Sequence, residues 1–193
     1  MKVSLKWLEQ YFDKKLDGPE IEDILTRLGL EVEERTDLGS RFDKVVAGRI
    51  EKIEKHPDAD KLQICRIDVG GEGLLQIVTA APNVEEGMMV PVALVGARVV
   101  GGDIKDSKLR GVQSSGMLCS GAELGIDASL MTEEQKQGIL PLDQDLAVGT
   151  SLKEVLDLDD QVLELGLTPN RADCYGIYNV AKELVLKKEL ELK

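Results

Sequence analysis

The chain has 193 residues, 24 Lys and Arg against 36 Asp and Glu, and a formal net charge of −12. Its 42% hydrophobic content suffices for the core of one or two small domains, while no apolar run approaches the ~18 residues of a membrane span and the first residues lack a secretory h-region. Cys65, Cys119 and Cys174 fit neither a disulfide framework nor a C-x-x-C site, which points to a reducing cytoplasm, and His56 as the single histidine excludes a His-rich metal or catalytic centre.

In chain order, Ser4 is placed to cap a helix in which Leu5, Leu8, Tyr11 and Phe12 recur at helical spacing. Asp17 or Gly18 then precedes Pro19 at a first-turn position, and Ile21, Ile24, Leu25 and Leu28 form a second stripe that Gly29 can stop. Residues 30–35 alternate in part, as an edge strand would. From about residue 44 the pattern changes to strands, at 44–53, 61–69, 74–79, 89–94 and a weaker 108–112. Turn clusters separate them: His56-Pro57-Asp58, Gly70-Gly71, Pro82-Asn83 and Gly101-Gly102. Many short strands without a long helix between them predict a small closed barrel, because closure removes unpaired edges, and five strands suit an OB-fold. Ser151 is a possible cap for a short helix, 162–167 reads as extended, and a last helix is predicted over 172–188. Ile177, Val180, Ala181 and Leu184 make its stripe, and Lys187 and Lys188 sit favourably at its C-terminal end.

Size then decides the organisation. Segments near roughly 40 residues rarely bury enough surface to fold alone, so the two ends are expected to pack on each other. The predicted class is α+β: an OB-fold β-barrel at 40–150 inserted into a small discontinuous α/β domain made of 1–39 and 151–193.

The acidic balance argues against bulk binding to nucleic acid, which needs phosphate-neutralising Lys and Arg. Charge is uneven, however. Residues 40–110 hold 11 basic and 11 acidic groups, so the whole net charge lies outside them. In HPDADKL (56–62), Pro57 fixes the chain and Asp58 and Asp60 can accept turn N–H bonds. Lys61, with Lys52 and Lys55, can present phosphate-binding charge at the groove mouth; His56, Asp58 and Asp60 on one turn make a weak metal set. Ala80 and Ala81 permit close approach of backbone or of a ligand. In RGVQSSGMLCS (110–120), Gly116 allows an unusual backbone angle, and Ser114, Ser115 and Ser120 offer hydroxyls to phosphates or base edges. A serine nucleophile has only His56 as base and no G-x-S-x-G elbow. Nothing here reads as a complete enzyme.

Residues 46–70 (VAGRIEKIEKHPDADKLQICRIDVG), 76–84 (QIVTAAPNV) and 114–126 (SSGMLCSGAELGI) resemble the tRNA-binding OB domain shared by several aminoacyl-tRNA synthetases and free-standing tRNA-binding proteins. The flanks, MKVSLKWLEQYF (1–12) and LELGLTPNRADCYGIYNVAKEL (163–184), resemble the start of the bacterial phenylalanyl-tRNA synthetase beta-subunit family. That family's beta subunit is far longer, so the resemblance implies an N-terminal fragment. It implies tRNA and the synthetase alpha subunit as partners, in an assembly of two alpha and two beta chains. It also implies ATP and Mg as cofactors of the whole enzyme but none in this fragment, a cytoplasmic location, no membrane, and catalytic, editing and anticodon-binding sites elsewhere. The expected role is a tRNA-binding and structural part of the synthetase; the alternative is a protein–protein assembly module without tRNA contact. The candidate tRNA contacts are Lys52, Lys55, Lys61, Arg66, Arg98, Lys105, Lys108, Arg110, Ser114 and Ser115. Phe42 is the barrel's one aromatic, so base stacking contributes little and binding is expected to be weak and salt-dependent. In PNRAD, Asn170 and Asp173 are expected to cap the following helix and Arg171 to brace a contact.

Overall fold

Ser4 ends an extended segment and begins a helix: its Oγ accepts the Trp7 N–H at 3.0 Å and donates to Asp160 at 2.6 Å. The same Asp160 carboxylate accepts the Lys6 N–H, so the last part of the chain satisfies the amides that open the first helix. The computed structural model describes residues 1–133, 135–186 and 190–193. It divides into two units, Met1–Gly39 with Leu158–Lys193, and Ser40–Asp157.

The first unit opens with β1 (Lys2–Ser4), α1 (Leu5–Glu9), α2 (Gly18–Arg27) and β2 (Glu31–Asp37). Asp17 caps α2 by accepting the Glu20 N–H, and Gly29 ends it at φ +80, with the Leu30 N–H bonded to the Leu25 carbonyl. The second unit supplies β3 (Val45–Lys55), β4 (Gln63–Asp68), β5 (Leu75–Thr79), β6 (Met89–Ala93), β7 (Arg98–Val99), β8 (Gly102–Asp103), β9 (Ser107–Leu109), β10 (Val112–Ser114), β11 (Met117–Leu118) and α3 (Leu152–Val155). The chain returns to the first unit as β12 (Gln161–Gly166) and α4 (Ile177–Val185).

β12 lies between β1 and β2, antiparallel to both, with Leu163 opposite Val3 and Arg35. One core therefore serves both ends of the chain: Val3, Leu8, Ile21 and Leu25 pack with Leu163, Val180 and Leu184, all fully buried. On the exposed edge strand β2, Glu31, Glu33, Glu34, Arg35 and Asp37 put charge where an apolar edge would invite pairing. The last helix begins later than the periodicity predicts. Residues Pro169–Tyr175 form 3-10 turns broken at Arg171 (φ −112, ψ 33), and α4 starts at Ile177. Asn170 and Asp173 do not cap it. Asp173 binds Arg171 instead, and Asn179 Nδ2 donates to the Asp173 carbonyl at 2.8 Å. The basic pair Lys187 and Lys188 lies outside the described residues.

In the second unit the sheet order is β11-β6-β3-β4-β5, all antiparallel. The sheet closes where the residues just before β11 meet β5: the Ser115 N–H donates to the Gln76 carbonyl (2.9 Å) and the Val78 N–H to Ser114 Oγ (3.1 Å). The result is a nearly closed five-stranded barrel of OB type. β3 is long enough to serve both halves because a bulge between Ile50 and Lys52 bends it. Ile50, Cys65, Ile67, Ile77, Val90 and Val92 fill the interior. The strand predicted at 108–112 is a tight hairpin: Arg110 (φ +46) and Gly111 (φ +86) form a two-residue turn of type I′ sense between β9 and β10. The fifth barrel strand is the two-residue β11. Residues beyond it wrap the barrel irregularly, held by Leu142 N to Met89 O and Ala47 N to Thr150 O. Ser151 occupies the N-cap of α3 without a side-chain cap bond, and it bridges to Val46; the break between units accordingly falls after Asp157. Among the described residues no helix is long and apolar enough to cross a membrane.

Candidate nucleic-acid interface

In an OB barrel, extended ligands cross the second and third strands between the loop joining strands one and two and the loop joining four and five. Here those strands are β4 and β5. The loops are 56–62 and the long connection 94–116, which carries the β9–β10 hairpin.

The first loop is a closed turn, with His56 N bonded to Leu62 O (3.2 Å) and Leu62 N to Ala59 O (3.1 Å). Its His56 ring is 5% exposed. Nδ1 accepts the Asp58 N–H at 3.1 Å, which leaves the ring proton on Nε2, 3.0 Å from the Leu109 carbonyl. A bond of 53 residues' separation thus joins the two loops. With both nitrogens occupied, His56 is neither a free general base nor a metal ligand. Lys55 and Lys61 flank it on one side, Lys108 and Arg110 flank Leu109 on the other, and all four are exposed. Among the described residues, none of the four has a carboxylate within 4.0 Å.

The remaining candidates separate. Lys52 and Arg66 face each other across β3 and β4, but Lys52 Nζ is 2.8 Å from Glu54. That hydrogen bond and charge hold the Lys52 ammonium above its ordinary value and the Glu54 carboxyl below its own. Arg98 pairs with Asp103 at 3.7 Å on the β7–β8 ribbon. Lys105 lines a cleft of about 960 Å³ walled by Ala80 and Ala81 on one side and Gly121 and Ala122 on another; two small-residue motifs distant in sequence meet there. Ser107 and Leu109 also line it, so Lys108 between them points to the opposite face of β9. Ser114 lines the same cleft but is 2% exposed, and its hydroxyl accepts from Val78 and donates to the Gly116 carbonyl (3.3 Å) at the closure of the barrel. Ser115 is half-buried and contributes its backbone N–H to the same closure.

Ser120 Oγ bonds Glu123 at 2.7 Å, and burial pushes the Cys65 thiol up to about 11 and Cys119 to about 12, keeping both protonated. Phe42 is fully buried with Arg41 over its ring at 4.7 Å, so the barrel presents no stacking aromatic. Among the described residues one trio, Asp173, Cys174 and Glu183, has metal-ligand spacing. The Arg171 guanidinium already occupies it, 2.8 Å from Glu183 and 2.9 Å from the Cys174 sulfur, and it holds the Asp173 carboxyl below its ordinary value. Sequence reasoning missed the His56–Leu109 bond. Its only signal was a histidine ahead of a proline turn, with nothing to indicate the partner.

A five-stranded OB barrel with cations that, among the described residues, stand unpaired at both ligand-side loops has the features of a nucleic-acid-binding module. The family described as "Putative tRNA binding domain" matches residues 45–151, more than half of the chain, and the chain belongs to that family. It is also similar to the phenylalanine–tRNA ligase beta subunit of Moorella thermoacetica, 54% identical over 185 residues, covering 95% of this chain and 23% of that protein. The beta subunit of Francisella tularensis is 44% identical over 195 residues, covering 100% and 24%. The chain therefore spans about a quarter of the length of these curated relatives. Among solved structures, a MetRS-related protein from Pyrococcus horikoshii aligns at 25% identity with a TM-score of 0.39, covering 55% of this chain and 85% of that one.

Proposed function

We propose that this chain binds tRNA through its barrel, as an N-terminal part of a phenylalanine–tRNA ligase beta subunit. The observation that carries the reading is the family match across the barrel together with Lys55, Lys61, Lys108 and Arg110, exposed at its two ligand-side loops and unpaired among the described residues. With no aromatic on the barrel surface, contact is through phosphates. In this reading residues 1–39 and 151–193 form the outer domain and the barrel, 40–150, is its insertion. The ligation of phenylalanine, its ATP and Mg, the alpha subunit in a two-plus-two assembly and the cytoplasmic setting are assigned to the enzyme as a whole. This chain supplies binding surface and no catalytic group.

Fluorescence anisotropy with labelled tRNA, titrated from low to physiological salt against single-stranded DNA of similar length, tests it. Four phosphate contacts give a log–log salt slope of about −3.6. Absence of binding at low salt refutes tRNA recognition by this chain and leaves the barrel as an assembly surface.

A further inference from the structure

We infer that His56 is a positioning residue that latches the two ligand-side loops into one cationic surface; the inference rests on the tRNA-binding reading above. The root of the β9–β10 hairpin is anchored on β5, where Gln76 Nε2 donates to the Gln113 carbonyl at 2.7 Å and Ser114 Oγ receives Val78. The tip is a different matter. Leu109 is 40% exposed, the turn at Arg110 and Gly111 lies in the left-handed region, and the Leu109 carbonyl is met by His56 Nε2. The ring itself is buried and touches no ligand surface, so its effect on RNA passes through the groups it aligns. Those are Lys55 at the end of β3, Lys61 on its own loop, and Lys108 and Arg110 on the hairpin. An RNA backbone presents phosphates at fixed spacing, so two cationic arms reach it together only when their separation is fixed as well.

The two ring nitrogens do separate jobs, and single substitutions part them. His56→Asn keeps an acceptor for the Asp58 N–H, two residues on, and so preserves the turn. It is too short to reach Leu109. His56→Gln extends an N–H donor to the position of Nε2. In the full 193-residue chain, the inference predicts that His56→Asn folds and melts close to wild type and exchanges its β9 and β10 amides about three- to tenfold faster. It also predicts loss of the two hairpin contacts, lowering the tRNA salt slope by about 1.8 and weakening affinity by up to about 60-fold near 0.1 M salt. His56→Gln restores the exchange rates and the slope together. Unchanged hairpin exchange in His56→Asn overturns the latch, and faster exchange with wild-type affinity and slope overturns its positioning role. Failure of the wild-type chain to bind tRNA overturns the binding reading and the positioning role with it; that result is told apart because it appears before any substitution is made.

Discussion

Replacing Ser114 by Ala separates two roles that the sequence could not. The hydroxyl accepts the Val78 N–H at 3.1 Å and donates to the Gly116 carbonyl at 3.3 Å, while Ser114 and Val78 are 2% and 6% exposed. Alanine removes the hydroxyl that serves both bonds, so the Val78 amide on β5 loses its partner at the seam that closes the barrel. An unsatisfied buried donor costs about 1–3 kcal/mol, and the lost bond to Gly116 keeps the total near 2 kcal/mol. For a chain of this size that lowers the melting temperature by about 4–8 °C. The assay pairs a thermal melt, read on the barrel transition, with tRNA affinity measured well below it. Ser114→Ala should lose stability and keep its affinity, while Ser115→Ala, which leaves its backbone N–H bond to Gln76 in place, should stay within about 0.5 kcal/mol. The opposite split, unchanged melting with weakened tRNA binding, would refute the structural assignment and return Ser114 to the contact set.

Gly116→Ala should cost about 3 kcal/mol, because the backbone there is at φ +126 and an added Cβ would lie 2.9 Å from the Ala93 carbonyl oxygen; denaturant unfolding measures it. Arg110→Asn should stabilise the barrel by about 0.5 kcal/mol, since Asn-Gly suits a type I′ turn better than Arg at φ +46. The same variant should shrink the tRNA salt slope by about 0.9, as one phosphate contact goes with the charge. Cys65 and Cys119, raised to about 11 and about 12, should resist alkylation in the native chain near neutral pH. Their folded values exceed the unfolded one, so their contribution to stability is complete below roughly pH 8.5 and lost as pH rises through 11 and 12. A pH–stability profile that stays flat across that window, with the cysteines intact, contradicts the burial account.

Local rules made much of this fold legible. Ser4, Asp17, Pro19 and Gly29 sit at helix ends where capping chemistry puts them, and alternation in 61–69 found β4 to within two residues at its start and one at its end. The failures share a cause: each feature depends on a partner distant in the chain. β11 is two residues long and has no period to read. Its place is given by β6 beside it and by the hydrogen bonds of residues 114 and 115 to β5. The 3-10 turns at Pro169–Tyr175 delay α4 because the Arg171 guanidinium gathers Asp173, Cys174 and Glu183. The candidate site divided in the same way. Composition identified the concentration of cations in 40–110, but which of them stand unpaired depends on Glu54 reaching Lys52, on Asp103 reaching Arg98 and on strand alternation turning Lys108 away from the cleft. The bond that unites the useful four spans from His56 to Leu109, and neither residue names the other.

In the proposed reading, tRNA meets the barrel at loop 56–62 and the β9–β10 hairpin. Chemical-shift mapping on the isotope-labelled chain, with tRNA added stepwise at low salt, tests that location directly. The account predicts perturbation concentrated at residues 55–61 and 105–111, fading as salt is raised, with α1, α2 and α4 unmoved. Perturbation confined to the outer unit, or on barrel strands away from both loops, would contradict it.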